Sequence, residues 1–441
     1  MEKVFRRGWI ITVIGIFCLT LALNGCGGGS GGTVSDIPDS SGISCNNGSD
    51  TYTPLASPVI AIAAAARISF AIKGDGTLWA WGNNTKGQLG AGATTNSVTP
   101  VQIGIGSTFK AISAGFGHSL ALKKDGTLWA WGDNSFGQLG NNSTASSSVP
   151  IQIGSDNDTY TAISAGLNFS LAIKSNGTLW AWGDNSFGQL GIGDDNTKLS
   201  TVPIQVGSDN DYTAISAGTA HALALKANHS SCAWGDNTYG ELGDGCYIDG
   251  INKQTVCANR NDKTINSNIP ELIDSGIPYG AIAAGYFYSL AIKDDGTLMA
   301  WGNNSHSDLG TGSSTATYIV PTKIGEGFKP DADALSASKF SVLGNTTVYY
   351  HSLALKSDGS LWAWGDNIFG ELGDGSRTPS SAPEQILASS GFAFTAVSAG
   401  DDDHSLAIKN DGSLWAWGFN SCGQLGDGTT TDSEIPIQVS R

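Results

Sequence analysis

The stretch LWAWGDNSFGQLG occupies positions 128–140 and recurs letter for letter at 179–191. Its first half decides the fold. In an extended strand Leu128 and Ala130 point to one side while Trp129 and Trp131 point to the other, so neither face is polar and both must be covered by neighbouring structure. Working outward, the Trp-Gly pair returns at Trp81, Trp131, Trp182, Trp234, Trp301, Trp364 and Trp417, spaced by about fifty residues with longer gaps before Trp301 and Trp364. Such a period marks stacked supersecondary units.

Each unit reads as four strands. YTAISAG (160–166) is a run of small and β-branched residues, and FSLAIK (169–174) follows with apolar side chains alternating. KSNGTLW and KKDGTLW place Asn-Gly or Asp-Gly between apolar runs, a strong hairpin signal because both residues tolerate positive φ. LWAWG is the third strand, and VPIQIG (149–154), whose Pro150 suits a sheet edge, is the fourth. Four antiparallel strands written seven times predict an all-β, seven-bladed β-propeller over residues 55–441, with the small residues of AISAG nearest the axis. Sixty glycines and only 14% charged residues agree, since long helices want the opposite.

HSLALKKDGTLWAWGDNSFGQLG (118–140) resembles the repeat of the regulator of chromosome condensation (RCC1) family, whose members are seven-bladed propellers. WD40 blades end in Trp-Asp and kelch blades carry Gly-Gly, and neither fits. Departures are local: repeat 4 reads KANHSSCAWG with Cys232 in a tryptophan position, repeat 5 has Met299 there, and repeat 1 reads AAARIS in place of the usual Gly and His. The resemblance implies a protein-binding scaffold. The founding member is a guanine-nucleotide exchange factor for a small GTPase, and a secreted bacterial member inhibits β-lactamases. A plant ultraviolet photoreceptor of the family uses its tryptophans. Here the blade pattern accounts for every tryptophan except Trp9, which favours packing.

Residues 1–26 read as a lipoprotein-type signal. Lys3, Arg6 and Arg7 precede an apolar stretch over 8–22, and Leu23-Asn24-Gly25-Cys26 resembles a bacterial lipobox with Cys26 as the lipidated residue. Residues 27–54, opening on a glycine run, form a flexible tether. The protein is therefore expected to be exported to the bacterial cell envelope, lipid-anchored or secreted, and monomeric, touching a membrane only through its lipid. That compartment permits disulfides, and Cys246 and Cys257, in one loop, are the expected pair. A formal charge of -16 excludes an unaided grip on nucleic acid and suits a basic partner.

No nucleophile elbow, phosphate-cradling loop or His-Glu-x-x-His motif is present, so no enzyme activity, cofactor or metal is expected. His118, His221, His351 and His404 share one repeat position on different blades and read as packing groups. Asp156 with Asp158, Asp209 with Asp211, and Asp401 to Asp403 are oxygen-rich turns without an EF-hand pattern. The irregular loops carry more. Strand alternation sends the first-to-second and third-to-fourth loops to one rim. The insertions at 243–268 and 339–350 and the extra residue at Asp401, Asp402 and Asp403 all fall there. Tyr247, Tyr286, Phe287, Tyr349 and Tyr350 lie in the same loops, and exposed loop aromatics on a rigid scaffold make binding anchors. The expected function is an exported binding scaffold for an extracytoplasmic protein, inhibition of an envelope enzyme being one version. Nucleotide exchange, or a carbohydrate- or cell-wall-binding lectin, are the alternatives.

Overall fold

The computed structural model describes residues 58–439 except 156, 195, 249–254, 258–265, 275, 314–316, 340–349, 389–390 and 402, with 248 and 255–257 described through their backbone alone. Seven four-stranded antiparallel sheets follow one another, each built from one repeat in chain order. We number them blades 1 to 7; blade 2, for example, comprises Phe109–Ala114, His118–Lys123, Leu128–Gly132 and Ser147–Ile153. The first strands of adjacent blades touch around the axis. Their serines interlock there: Ser113, Ser164, Ser216, Ser336 and Ser398 each accept a hydrogen bond from a backbone N–H of the next blade.

The hairpin between second and third strands differs in detail from its expected form. In blade 2 only Gly126 is left-handed, at φ 90°. Asp125 accepts hydrogen bonds from the N–H and hydroxyl of Thr127, whose oxygen accepts from Trp129 Nε1. The loop is thus a turn closed by one left-handed residue, and the Asp serves as a side-chain acceptor. In blade 4 His229 fills the missing glycine's place at φ 63°.

Seven apolar clusters form the core, one between each pair of neighbouring blades. Between blades 2 and 3, Leu120, Leu122, Leu128 and Ala130 of one sheet meet Ala172, Ala165 and Trp182 of the next. Each second-position tryptophan is buried, and its Nε1 donates to a carbonyl of the preceding blade's GQLG-type loop at 2.7–2.9 Å. The loop's last glycine leaves room for the indole. A Cβ on Gly140 would lie 2.8 Å from Trp182 Nε1.

Among the described residues no strand is exchanged at the ring's junction: blade 7 keeps Ser433–Gln438 and blade 1 keeps Val59–Ala65. Closure rests on packing of Trp81 and Ala71 against Leu406, Leu414 and Leu425, on Trp81 Nε1 donating to Gln424 O, and on Val59 N donating to Gly412 O. The fourth strands are outer edges. Each carries one proline (Pro100, Pro150, Pro203, Pro270, Pro321, Pro383, Pro436) and a register shift against the third strand just before that strand's glycine, with a second shift in blade 5. Both devices discourage edge-to-edge pairing with another chain.

The repeated histidines join blades. His118, His221, His351 and His404 are buried, and each Nε2 lies 2.8–3.0 Å from a serine hydroxyl of the following blade: Ser170, Ser289, Ser405 and Ser69. Those hydroxyls donate to the same loop carbonyls the tryptophans use. The serine proton is therefore committed, and the ring proton belongs on Nε2. Burial holds His118 down to about 4 from an ordinary 6.5. A lowered histidine contributes stability above pH 6.5 that is lost as pH falls toward 4. His118→Phe, copying Phe169 of blade 3, should cost about 1 kcal/mol at pH 7 for the lost hydrogen bond. It should also flatten the loss of stability between pH 6.5 and 4, read from urea midpoints. An unchanged acid slope would refute this origin.

Candidate functional site

Strand direction places the first-to-second and third-to-fourth loops of every blade on one rim, and the hairpins with the fourth-to-first loops on the other. Lys73, Lys123, Lys174 and Lys356 end second strands at the hairpin rim, where each ammonium sits 3.5–4.2 Å from the centre of Trp79, Trp129, Trp180 or Trp362. These half-exposed tryptophans are thus covered by cation–π contacts. The acidic pairs lie there too: Asp158 pairs with Lys174, and Asp209 and Asp211 with Lys226.

On the opposite rim, which carries the insertions, five rings from three blades form one cluster. Tyr239 of blade 4 lies 4.9 Å from Phe287 of blade 5, Phe287 lies 3.9 Å from Tyr286, and Tyr286 stacks on Tyr350 of blade 6 at 4.6 Å and 19°. His306 meets Tyr350 edge-on at 6.2 Å. The structure therefore brings together Tyr286, Phe287 and Tyr350, which the sequence marked, with Tyr239 and His306, which it did not. Tyr350 corrects the expectation of an exposed anchor: it is 3% exposed and works as a buried support, while Tyr239 is 37% exposed. Tyr247 is half-buried in a small hairpin, Cys246–Ile248 paired with Thr255–Cys257. Tyr349 and Asp402 lie outside the described residues.

Asp401 and Asp403, expected on the partner-facing rim, are buried at 2% and 1% exposure. Asp401 accepts a hydrogen bond from Lys339 N at 2.6 Å. Lys339 Nζ donates to Ala165 O of blade 3 at 3.0 Å, and Thr219 of blade 4 donates to Lys339 O. The start of the blade 6 insertion thus reaches across the axis to tie blades 3, 4 and 7. Desolvation holds the Lys339 ammonium below the usual lysine range, partly offset by Asp401.

Beneath the aromatic cluster lie buried carboxyls. The glutamine of GQLG in blades 1, 2, 3 and 7 accepts a hydrogen bond from the N–H two residues earlier. Glu241 and Glu371 make that bond in blades 4 and 6, and Asp308 occupies the position in blade 5. All three are buried, and Glu241 Oε1, Asp308 Oδ1 and Glu371 Oε1 have no hydrogen-bond partner. Burial pushes Glu371 up to about 8, reinforced by Asp366, and raises Glu241 and Asp308 well above the carboxylate range.

The Phe or Tyr just before the GQLG-type loop in blades 2, 3, 4 and 6 was the missed signal. Phe136 and Phe187 stand inside the quoted repeat itself, at the position of Tyr239 and Phe369, and are 39% and 44% exposed. Phe187 borders a shallow polar cleft between blades 3 and 4, lined by Asn185, Asp194, Lys198 and Asn266. Among the described residues no three His, Cys, Asp or Glu side chains gather as a metal-sized group. Cys246 is disulfide-bonded and stands opposite Cys257 in its two-stranded ladder, while Cys26 lies outside the described residues.

Seven sheets interlocked through Trp-Gly strands and glycine-rich loops define a β-propeller that presents one irregular, aromatic rim. The chain belongs to the RCC1-like family: the RCC1-like domain matches residues 26–337, and RCC1 repeats match 358–408 and 411–441. It is 28% identical over 289 residues to the ultraviolet-B receptor UVR8 of Arabidopsis thaliana, covering 64% of this chain and 59% of that protein. It is 29% identical to the mouse E3 ubiquitin-protein ligase HERC2 over 63% of this chain and 5% of the ligase. It therefore spans less than two thirds of either relative. Human WBSCR16 (TM-score 0.67, 19% identity, 83% of this chain and 94% of that one) and yeast Prp20p (TM-score 0.66, 22% identity, 88% and 87%) share the fold.

Proposed function

We propose that this propeller is an exported, lipid-anchored scaffold that binds an extracytoplasmic protein through its insertion rim. The observation that carries the reading is the convergence on that rim of both insertions and of aromatic rings from blades 4, 5 and 6. Rigid aromatic faces on a preorganised frame bind at low entropic cost. The solved relative Prp20p sets a precedent for protein partners, its structure having been described with its binding to Gsp1p and histones. Export is supported by the basic, apolar leader ending at Cys26 and by the disulfide at Cys246. We assign Cys257 as its partner, since directly opposed residues in an antiparallel pair lie about 4.5–5.5 Å apart at Cα, within disulfide range. Blocking an envelope enzyme is the concrete version of this role.

The test is a crosslinking pull-down from the native cell with the full chain, against a variant in which 249–265 and 340–349 are shortened. A protein recovered only by the intact chain supports the reading, and equal recovery moves the site off this rim. Radiolabelled palmitate should enter the wild type and not Cys26→Ser; label in both would remove the anchor. A second, carbohydrate-binding reading is favoured by the cleft beside Phe187, where amides and a carboxylate adjoin a half-exposed ring. It predicts recovery of wall glycan by both baits.

A further inference from the structure

The aromatic cluster sits in an unusually one-signed environment. The charged groups acting on Tyr239, Tyr286 and Tyr350 are Asp236, Glu241, Asp308 and Asp403, all acids. Among the described residues several cations are engaged elsewhere: the second-strand lysines cap tryptophans at the far rim, Lys339 is held by Ala165 O beside Asp401, and Arg377 pairs with Glu434 and Asp432. Two of the acids also have unmet bonding capacity. Glu241 Oε1 and Asp308 Oδ1 are buried without a hydrogen-bond partner. In blades 2 and 7 the matching atom without a partner is an amide nitrogen, Gln138 Nε2 or Gln424 Nε2, which is a donor. Blades 4 and 5 have therefore exchanged an amide, which cannot ionise, for a carboxyl, which can, directly below the rim where the rings lie.

We propose that this aromatic wall receives an arginine side chain of the partner protein, its guanidinium lying over Tyr239 and Phe287 with the carboxyls of Glu241 and Asp308 beneath. The inference rests on the rim-binding reading above and specifies its chemistry. A guanidinium is planar, weakly hydrated and stacks on aromatic faces, which suits an open wall better than a compact, strongly hydrated ammonium. Burial favours the neutral form of both carboxyls, with Asp236 and Tyr239 facing Glu241, and Asp366, Tyr288 and Tyr350 facing Asp308. An arriving cation favours their ionised forms, so binding releases protons and tightens as pH rises.

The probes are three acetylated peptides of one sequence carrying two arginines, two lysines or two citrullines, titrated calorimetrically into the full chain in detergent at pH 6 and 8. The arginine peptide should bind most tightly, bind more tightly at pH 8, and lose at least tenfold in affinity with Tyr239→Ala/Phe287→Ala. Glu241→Gln/Asp308→Asn, which borrows the glutamine of other blades, should fold normally, bind more weakly and lose the pH dependence. Phe136→Ala/Phe187→Ala should leave binding unchanged. Equal binding of arginine and lysine peptides, or equal affinity across all the variants, overturns the site and leaves only diffuse attraction to an acidic surface, and equal binding of arginine and citrulline peptides overturns recognition of a cation altogether. The pull-down separates the two readings. A partner lost on shortening the insertions but kept by Tyr239→Ala/Phe287→Ala defeats the arginine site alone, whereas a partner kept by the shortened chain defeats rim binding itself.

Discussion

Trp81→Ala should lower stability by about 3–5 kcal/mol and open the ring at its one non-covalent junction. The indole is buried between blades 7 and 1, touching Leu406, Leu414 and Leu425, and its Nε1 donates to Gln424 O at 2.8 Å. Truncation removes that packing, leaves a cavity and strips the carbonyl of one of its donors, Ser69 Oγ remaining. Every other blade interface is also spanned by the chain itself. This one is not, because the two sheets come from opposite ends of the propeller. The damage should therefore show as proteolytic nicking in blades 1 and 7 before the middle blades are cut. Trp180→Ala is the matched control. That ring is half-exposed under Lys174 and bonds only Thr178 Oγ1, so its loss should cost about 1 kcal/mol. Equal urea midpoints for the two variants would refute the special role of the junction.

Glu371→Gln should stabilise the protein by a few kcal/mol at pH 8 and change it little at pH 5. The Glu371 carboxyl is pushed up to about 8 from 4.5 by burial, with Asp366 adding its charge, and it faces Asp366, Asp432 and the N–H of Phe369. An acid raised in the folded state contributes stability that is complete below its unfolded value and lost as pH rises through its folded one. Wild type should thus weaken between pH 4.5 and 8 on this account. The lowered histidines weaken it in the other direction below 6.5, leaving best stability in mildly acidic solution. Glutamine keeps the acceptor oxygen that bonds Phe369 N, as Gln138 does for Phe136, and removes the charge. Urea midpoints at pH 5 and 8 for Glu371→Gln and wild type decide the matter, and parallel pH profiles would sink it.

Much of the candidate site was legible where residues break the repeat. The insertions stand out because other blades lack them, and Tyr286 with Phe287 because a pair of aromatics before a second strand recurs only at Tyr349 and Tyr350. Phe136, Phe187 and Tyr239 were hidden by the opposite cause: being part of the repeat, they read as scaffold, and only solvent exposure separates them from the buried tryptophans. Asp401 and Asp403 misled for a physical reason. Three consecutive acids look solvated, yet a turn at a crowded rim can bury them against backbone N–H groups supplied by another blade, as Lys339 N is supplied to Asp401.

By itself the sequence determined the blade count, the strand order within a blade and the burial of both sheet faces, because hairpin chemistry and alternation act between residues close along the chain. Three matters were decided only by tertiary structure. Among the described residues the ring closes without exchanging a strand, Tyr350 turns inward to support Tyr286, and glutamate replaces glutamine beneath the aromatic wall without a partner for one oxygen. Each depends on contacts between blades far apart in sequence, where the repeat pattern is silent and the packing of one sheet on the next sets the outcome.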